Sequence, residues 1–126
     1  MTSIELRDEE PPDDVVVVVR GGEMNSAFVR RSAQDTHDEV GLYAISVFLA
    51  VDESYEDLCR AEGGLARYGK VRLSTAGRLR ALGFALLPTL ARPHFDVLLP
   101  DLADATLDRL ELAFDQPIPN PARGSL

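Results

Sequence analysis

The chain has 126 residues and a formal net charge of −8, with 13 Lys and Arg side chains against 21 Asp and Glu. Its length suits one compact domain, and a composition that is 45% hydrophobic and 27% charged is typical of a soluble globular protein and not of a disordered one. The single cysteine excludes an internal disulfide, no apolar run reaches the roughly 18 residues of a membrane span, and a pI near 4.6 argues against nucleic-acid binding over the whole surface. We therefore expect a cytoplasmic protein without a membrane partner.

The first third of the chain predicts an arm, a strand and a helix. Residues 1–14 contain six acids and one arginine without periodicity, so we predict a flexible acidic arm. Val15–Val19 is a run of β-branched residues, which predicts a central strand buried on both faces. Asn25 or Ser26 can cap a helix that continues to Val40, because apolar residues then recur on one face at helical spacing.

Short apolar or alternating runs, separated by caps, glycines and prolines, predict the other elements. In chain order these are a strand over 42–51, a helix over 54–63, a helical turn over 65–68, a strand over 70–74, a helix over 75–82, strands over 84–87 and 94–99, and a helix that begins at Asp101 or Asp104 and stops before Pro117. The last two strands should form a hairpin.

The resulting order, β-α-β-α-β-α-β-β-α, predicts an α+β fold. We expect a single compact domain over 15–116, with a mixed sheet of about five strands and helices packed on it. Residues 117–126 contain three prolines and should form a proline-rich tail.

Charge is unevenly distributed along the chain. Residues 60–92, the basic block, contain seven Lys and Arg side chains against one acid, Glu62. Because fields between exposed charges act within a Debye length of roughly 8 Å, the basic block is a candidate anion-facing surface in spite of the negative total. The alternative is that its arginines pair with the acidic segments around them.

The first candidate anion site follows the first predicted strand, at Arg20, Gly21 and Gly22. The arginine side chain is a planar, permanently charged fork, and the two glycines let a ligand approach the backbone. Together they suit a phosphate or a carboxylate. The alternative is an ordinary turn with the arginine in water.

The second candidate anion site lies where a strand runs into a helix, at Ser74, Thr75, Gly77 and Arg78. Amides at a helix N-terminus, a hydroxyl cap, a glycine that permits close approach and a nearby arginine can together hold an anion. The alternative is that Ser74 or Thr75 only caps the helix.

Three further residues are candidates for catalysis. Ser46 is a small polar residue in an otherwise apolar strand, and it would share a cleft with Arg20 if their two strands pair. His94 and Asp96 point to one side of a strand, so Asp96 could orient His94 as a general acid or base. Structural roles are the alternative for all three. The spacing of His, Cys and acidic residues predicts no metal site, and nothing in the sequence identifies a cofactor.

Two segments, Val17–Gly21 and Gly41–Phe48, resemble the arginine-then-serine arrangement of ADP-ribosyltransferase domains, with a predicted helix between them. The resemblance covers about residues 15–50. It implies that Arg20 binds the phosphates of NAD and that Ser46 supports the nicotinamide ribose. The later glutamate that steers the acceptor in this family has no match, and Asp96 is the acid that the C-terminal strand offers in its place.

These patterns favour a small, toxin-like intracellular enzyme that acts on a nucleotide or an RNA phosphate through a confined anion site. Two alternatives stay open. One is a non-catalytic binding module whose basic block docks nucleic acid or an acidic protein partner. The other is an adaptor or immunity-type protein whose acidic faces, above all the last helix, mask a basic enzyme.

Overall fold

Strands and helices follow one another in the computed structural model, which describes residues 6–21, 24 and 26–123. In chain order the elements are β1 Val16–Arg20, α1 Ser26–Val40, β2 Ala44–Ala50, α2 Tyr55–Ala61, α3 Gly63–Ala66, β3 Lys70–Thr75, α4 Ala76–Ala81, β4 Ala85–Leu87, β5 His94–Leu98, α5 Asp104–Ala113 and β6 Ile118–Pro119. The predicted elements occur in the predicted order, and β4 and β5 form the predicted hairpin.

The strands form one sheet with the order β4-β5-β2-β1-β3-β6, so β1 lies between β2 and β3 as a central strand should. Every pairing in this sheet is antiparallel. The α+β class is confirmed, but the expected mixed sheet of about five strands is corrected to an antiparallel sheet of six. The strand directions were not predictable because a helix between two strands does not fix their relative direction. The sixth strand was not predicted because β6 has only two residues.

The segment predicted to be a tail contributes an edge strand. β6 pairs with the start of β3, at a sheet edge where a proline is tolerated. The side chain of Asn120 is fully buried, and its Nδ2 donates to the carbonyls of Leu65 and Tyr68 at 2.8 Å each. Regular structure therefore continues past Pro117, while residues 124–126 of the predicted tail lie outside the described residues.

Two hydrophobic cores lie on opposite faces of the sheet, because successive side chains of each strand point to opposite sides. The larger core joins one sheet face to α1, α4 and α5, and its helix residues are Val29, Ala33, Leu79, Leu107, Leu110 and Ala113. The smaller core joins the other face to α2 and α3, and it contains Val18, Phe48, Ala50, Leu58, Cys59, Leu65 and Val71. The short helices α2 and α3 therefore cover only part of their face.

Residues 6–14, predicted as a flexible arm, lie against the domain. Leu6 forms a β-bridge with Thr89, and Pro11 is buried. Near the end of this segment, Asp13 Oδ1 accepts a hydrogen bond from Arg80 Nη1 at 2.8 Å. The acidic segment thus docks on basic side chains, while residues 1–5 lie outside the described part of the chain.

Candidate functional site

The predicted catalytic residues His94 and Asp96 lie on one face of β5, and Thr89 joins them. Thr89 Oγ1 donates to Asp96 Oδ2 at 2.7 Å and lies 2.9 Å from His94 Nδ1. Because a hydroxyl has one proton, Thr89 must accept from His94 Nδ1–H while it donates to Asp96. Neutral His94 then presents an unprotonated Nε2, as a general base requires. The link between Asp96 and His94 therefore runs through Thr89.

Arg7 holds the loop that carries Thr89. Its Nη1 donates to the carbonyls of Thr89, Leu90 and His94 at 2.6, 2.8 and 3.1 Å. Leu90 has a φ of 54° and is 74% exposed, in a left-handed conformation that costs a non-glycine residue about 1–2 kcal/mol. Such strain persists only where the surroundings fix it, and here the arm supplies the fixing contacts.

Arg20 and Ser46 lie on the neighbouring strands β1 and β2. The register between these strands runs from Val16–Ala50 to Val18–Phe48, and both residues lie two positions beyond its last pair. Ser46 is itself paired with Asp96 of β5. Because side chains alternate along a strand and paired residues share a face, Arg20, Ser46 and Asp96 belong to the same face of the sheet. A cleft of about 30 Å³ is lined by both Arg20 and Ser46.

Gly21, which follows Arg20, serves the turn after β1. Its φ of 88° lies in the left-handed region that favours glycine, and its amide donates to the carbonyl of Lys70 at 2.9 Å. That amide is therefore already used within the chain. Gly22 lies outside the described residues, so Arg20 is the member of the first candidate anion site with a charge to offer a ligand.

The amides at the start of α4, the second candidate anion site, already have acceptors. Thr75 Oγ1 accepts from the Arg78 amide at 3.2 Å, and the Asp13 carbonyl accepts from the Gly77 amide at 2.9 Å. A side chain at Gly77 would come within 2.9 Å of Asp13, so the arm packs directly on this helix end. Ser74 is buried, and the Arg78 guanidinium pairs with a carboxylate. The geometry gives these residues structural roles, and we leave them out of the proposed site.

In the structure, most cations of the basic block form ion pairs with described residues, and two do not. Five of its seven cations pair with carboxylates: Arg60 with Asp57, Arg72 with Glu111, Arg78 with Asp115, Arg80 with Asp13, and Arg92 with Glu9. Arg72 is buried and the other four arginines are partly exposed. Exposed pairs add little stability, but they offset the charge that an anion would meet. The basic block is therefore not one continuous anion-facing surface, and its two other cations are Arg67 and Lys70.

Arg67 and Lys70 flank Tyr68 in the sequence, and Arg20, from outside the basic block, packs on the same ring as Arg67. The Cζ atoms of Arg20 and Arg67 lie 5.5 and 5.2 Å from the centroid of the Tyr68 ring. Arg123 Nη1 donates to the Arg67 carbonyl at 3.4 Å, and Lys70 is bonded through its carbonyl to the residue after Arg20. We call Arg20, Arg67, Lys70 and Arg123 the cationic corner. None of the four forms an ion pair with a residue that the structure describes.

Sequence reasoning missed Thr89 and Arg123. Thr89 is a polar residue in the otherwise apolar run Leu86–Ala91, and its burial to 2% exposure is the kind of environment in which a hydroxyl needs partners. Arg123 follows the prolines of the predicted tail and is far in sequence from the rest of the corner. The pairing of β6 with β3 and the buried Asn120 contacts bring it there, and sequence spacing does not reveal such contacts.

The lone cysteine does not belong to a reactive site. Burial, and then the charge of Glu56, raise the pKa of the Cys59 thiol to about 11. The thiolate, which is the nucleophilic form, is therefore scarce near neutral pH. In the part of the chain that the structure describes, no group of three His, Cys, Asp or Glu side chains could hold a metal ion.

Comparison with known proteins does not identify a function for this chain, so the proposal below is argued from the site. No family model, curated protein or solved structure matches the chain. Among the described residues, no helix combines the length and apolar character needed to span a membrane. The ADP-ribosyltransferase resemblance therefore stays an expectation from two short segments.

Proposed function

We propose that the protein binds the phosphate groups of a nucleotide or an RNA at the cationic corner. One observation carries the proposal: two arginines, Arg20 and Arg67, pack on one tyrosine ring without an ion pair to any described residue. This is so although the chain has 21 acids and seven other arginines do pair with one. Like charges at short range repel each other, so an anion that binds between them lowers the energy of the whole cluster.

The residue types at the corner suit phosphate. Arg20 and Arg67 present guanidinium forks that can each donate two parallel hydrogen bonds to phosphate oxygens. The exposed Lys70 adds a point charge, and stacking on the Tyr68 ring orders the two forks before a ligand arrives. The net charge of −8 repels phosphate from the remaining surface, which confines binding to this corner.

Calorimetric titration with inorganic polyphosphate tests the proposal. We expect binding that weakens roughly 20- to 40-fold between 50 and 200 mM salt, because about three cations displace counterions. Arg20→Gln and Arg67→Gln should each weaken it about tenfold, since each removes a charge-assisted contact. Arg60→Gln is the matched control, because that exposed arginine already pairs with Asp57 on its own helix.

The control variant distinguishes the loss of a contact at the cationic corner from the effect of a changed net charge. Arg60→Gln changes the net charge by the same amount as the other two variants, so the proposal predicts less than a twofold effect from it. Equal effects of all three variants, or an affinity that does not depend on salt, would show that the cationic corner is not the binding site.

A second candidate function is cleavage of RNA at the same sheet face, and the hydrogen-bond chain from Asp96 through Thr89 to His94 favours it. In this reaction a ribose 2′-hydroxyl attacks phosphorus and its proton passes to His94 Nε2. The P–O5′ bond breaks, its electron pair leaves with the 5′-oxygen, and that oxygen takes a proton from water.

Incubation of the protein with a labelled single-stranded RNA tests this second function. Products should end in a 2′,3′-cyclic phosphate, and His94→Gln should abolish cleavage while polyphosphate binding stays unchanged. If His94→Gln cleaves as fast as the natural chain, or if no product forms, the catalytic function is rejected and the binding function is unaffected.

A further inference from the structure

β4 is an edge strand of the sheet, and a groove separates it from the acidic arm. We propose that this groove binds an extended, positively charged segment of a partner protein, which adds to the sheet as a strand beside β4. The groove lies away from the cationic corner, because two strands separate β4 from β1. Partner binding there goes beyond the phosphate-binding function and does not depend on it.

Leu86, the central residue of β4, directs its backbone amide and carbonyl away from the sheet. The Leu99 amide donates to the Tyr43 carbonyl at 2.8 Å, so odd-numbered residues along β5 direct their backbone groups to β2. Because these directions alternate along a strand, the even-numbered residues of β5 bond to β4. The register pairs them with Ala85 and Leu87, which leaves Leu86 directed outward.

Both neighbours of Leu86 along this edge already have partners. The Phe84 amide donates to the Leu79 carbonyl at 3.0 Å, and the Pro88 carbonyl accepts from the Arg7 amide at 2.8 Å. In the described part of the chain, the outward amide and carbonyl of Leu86 have no such partner. An unpaired edge of this kind is a template for a further strand.

The acidic arm leaves room for that strand. The arm bonds to the edge at Arg7 and then diverges from it, so that a groove of about 610 Å³ lies between the two. Phe84 and Leu86 line the strand side of the groove, and Asp8 and Glu10 line the arm side. Its volume is in the range of natural ligand sites, about 300–1,000 Å³, so a few extended residues can occupy it.

The charges of the groove favour a basic partner. Asp8 and Glu10 are exposed, and neither forms a hydrogen bond or ion pair with a described residue. The other charged residues of the groove, Arg7, Glu9 and Arg80, all belong to ion pairs. Two negative charges are therefore available. Lys or Arg side chains of an added strand can pair with them while its backbone bonds to β4, which gives both affinity and specificity.

Fluorescence anisotropy with labelled peptides tests the proposal. The probes are a hexapeptide of alternating lysine and valine, the same peptide with methylated backbone amides, and a hexapeptide of alternating glutamate and valine. We expect the first to bind, and the other two to bind at least about tenfold more weakly. Methylation removes the donors that a strand edge requires, and the acidic groove repels glutamate.

Paired substitutions locate the binding surface. A variant with both Asp8→Asn and Glu10→Gln should bind the lysine peptide about fivefold more weakly, because two exposed ion pairs are lost. A variant with both Asp35→Asn and Glu39→Gln, exposed on α1, changes the net charge equally and should alter the affinity less than twofold.

Hydrogen exchange followed by NMR provides a second measurement. The Leu86 amide should exchange quickly in the free protein and become protected when the lysine peptide binds. Strand addition at this groove is wrong if the lysine peptide does not bind at millimolar concentration, if methylation has no effect on its binding, or if the two double variants behave alike. A Leu86 amide already protected in the free chain, by the arm or by a second copy, would also contradict it. Arg20→Gln should leave peptide binding unchanged, so a failure of phosphate binding is distinguishable from a failure here.

Discussion

The single hydroxyl of Thr89 determines the hydrogen bonding of two titratable side chains. Asp96 is 8% exposed, and a buried carboxylate needs donors to replace the water that it loses on folding. Thr89 supplies one donor to Asp96 and, with the same oxygen, accepts from His94. The fold therefore depends on this hydroxyl whether or not His94 acts in catalysis.

Thr89→Val should destabilise the protein by about 1–3 kcal/mol, because the isosteric change leaves a buried carboxylate without its donor. Urea denaturation measures the change in the free energy of unfolding. Thr36→Val is the matched control, since the Thr36 hydroxyl bonds only to a carbonyl of its own helix, at 3.3 Å. If Thr89→Val costs no more than the control, the hydrogen-bond chain does not contribute to stability.

At the scale of elements, the position of α3 depends on the second of two consecutive glycines. An added Cβ at Gly64 would lie 2.9 Å from Phe48 Cζ, whereas one at Gly63 would meet nothing within 4 Å. Phe48 is 9% exposed in the smaller core, so its ring cannot move away without a loss of packing. Gly64 therefore allows α3 to approach the sheet, while Gly63 does not have this role.

Gly64→Ala should destabilise the protein by about 1–3 kcal/mol, as overpacking of a core does. Gly63→Ala in the same helix should be neutral or should stabilise by up to about 1 kcal/mol, because alanine favours the helix and nothing obstructs its side chain. Thermal unfolding of the two variants side by side provides the comparison. Equal melting temperatures would contradict the close packing of α3 on Phe48.

The elements most open to prediction were those with strong local signals. The run Val15–Val19 and the glycine and proline stops predicted strands and helices from local chemistry alone, and the structure confirms their order. The antiparallel direction of the strands and the pairing of β6 depend on contacts between residues far apart in sequence. The same holds for the site: Arg20 was predicted from its strand end, but its proximity to Arg67 and Arg123 follows from tertiary packing.

At the scale of the whole molecule, the place where an anion can bind depends more on which charges are paired than on the net charge. Carboxylates of the acidic arm pair with Arg80 and Arg92 and offset their positive charges. The cationic corner lies near the opposite end of β1. Asp13, just before β1, docks at the arm side, and Arg20 ends the strand at the corner side. The −8 total thus conceals one confined positive region.

Docking of the arm should depend on pH through Glu9. Burial raises the pKa of Glu9, but hydrogen bonds from Arg92 and Arg7 lower it by more, so its pKa lies below its ordinary value. A carboxyl with a lowered pKa in the folded state adds stability above its ordinary pKa, and this stability is lost as the pH falls through the lowered value.

Glu9→Gln should therefore unfold at a lower urea concentration than the natural chain at pH 7, and the difference should shrink as the pH falls from about 5 to about 3. Urea denaturation over this pH range measures it. Glu39→Gln, an exposed change on α1, should show no difference at any pH. A difference for Glu9→Gln that stays constant or grows in acid would contradict the arm contact.

The claim that phosphate binds at the cationic corner is tested most directly by NMR, from the amide shifts of the isotope-labelled protein during titration with inorganic tripolyphosphate. Binding at the cationic corner should concentrate the shifts at residues 20–21, 67–70 and 120–123. Shifts concentrated at residues 76–80 and 92, spread evenly over the chain, or absent at millimolar ligand would contradict it.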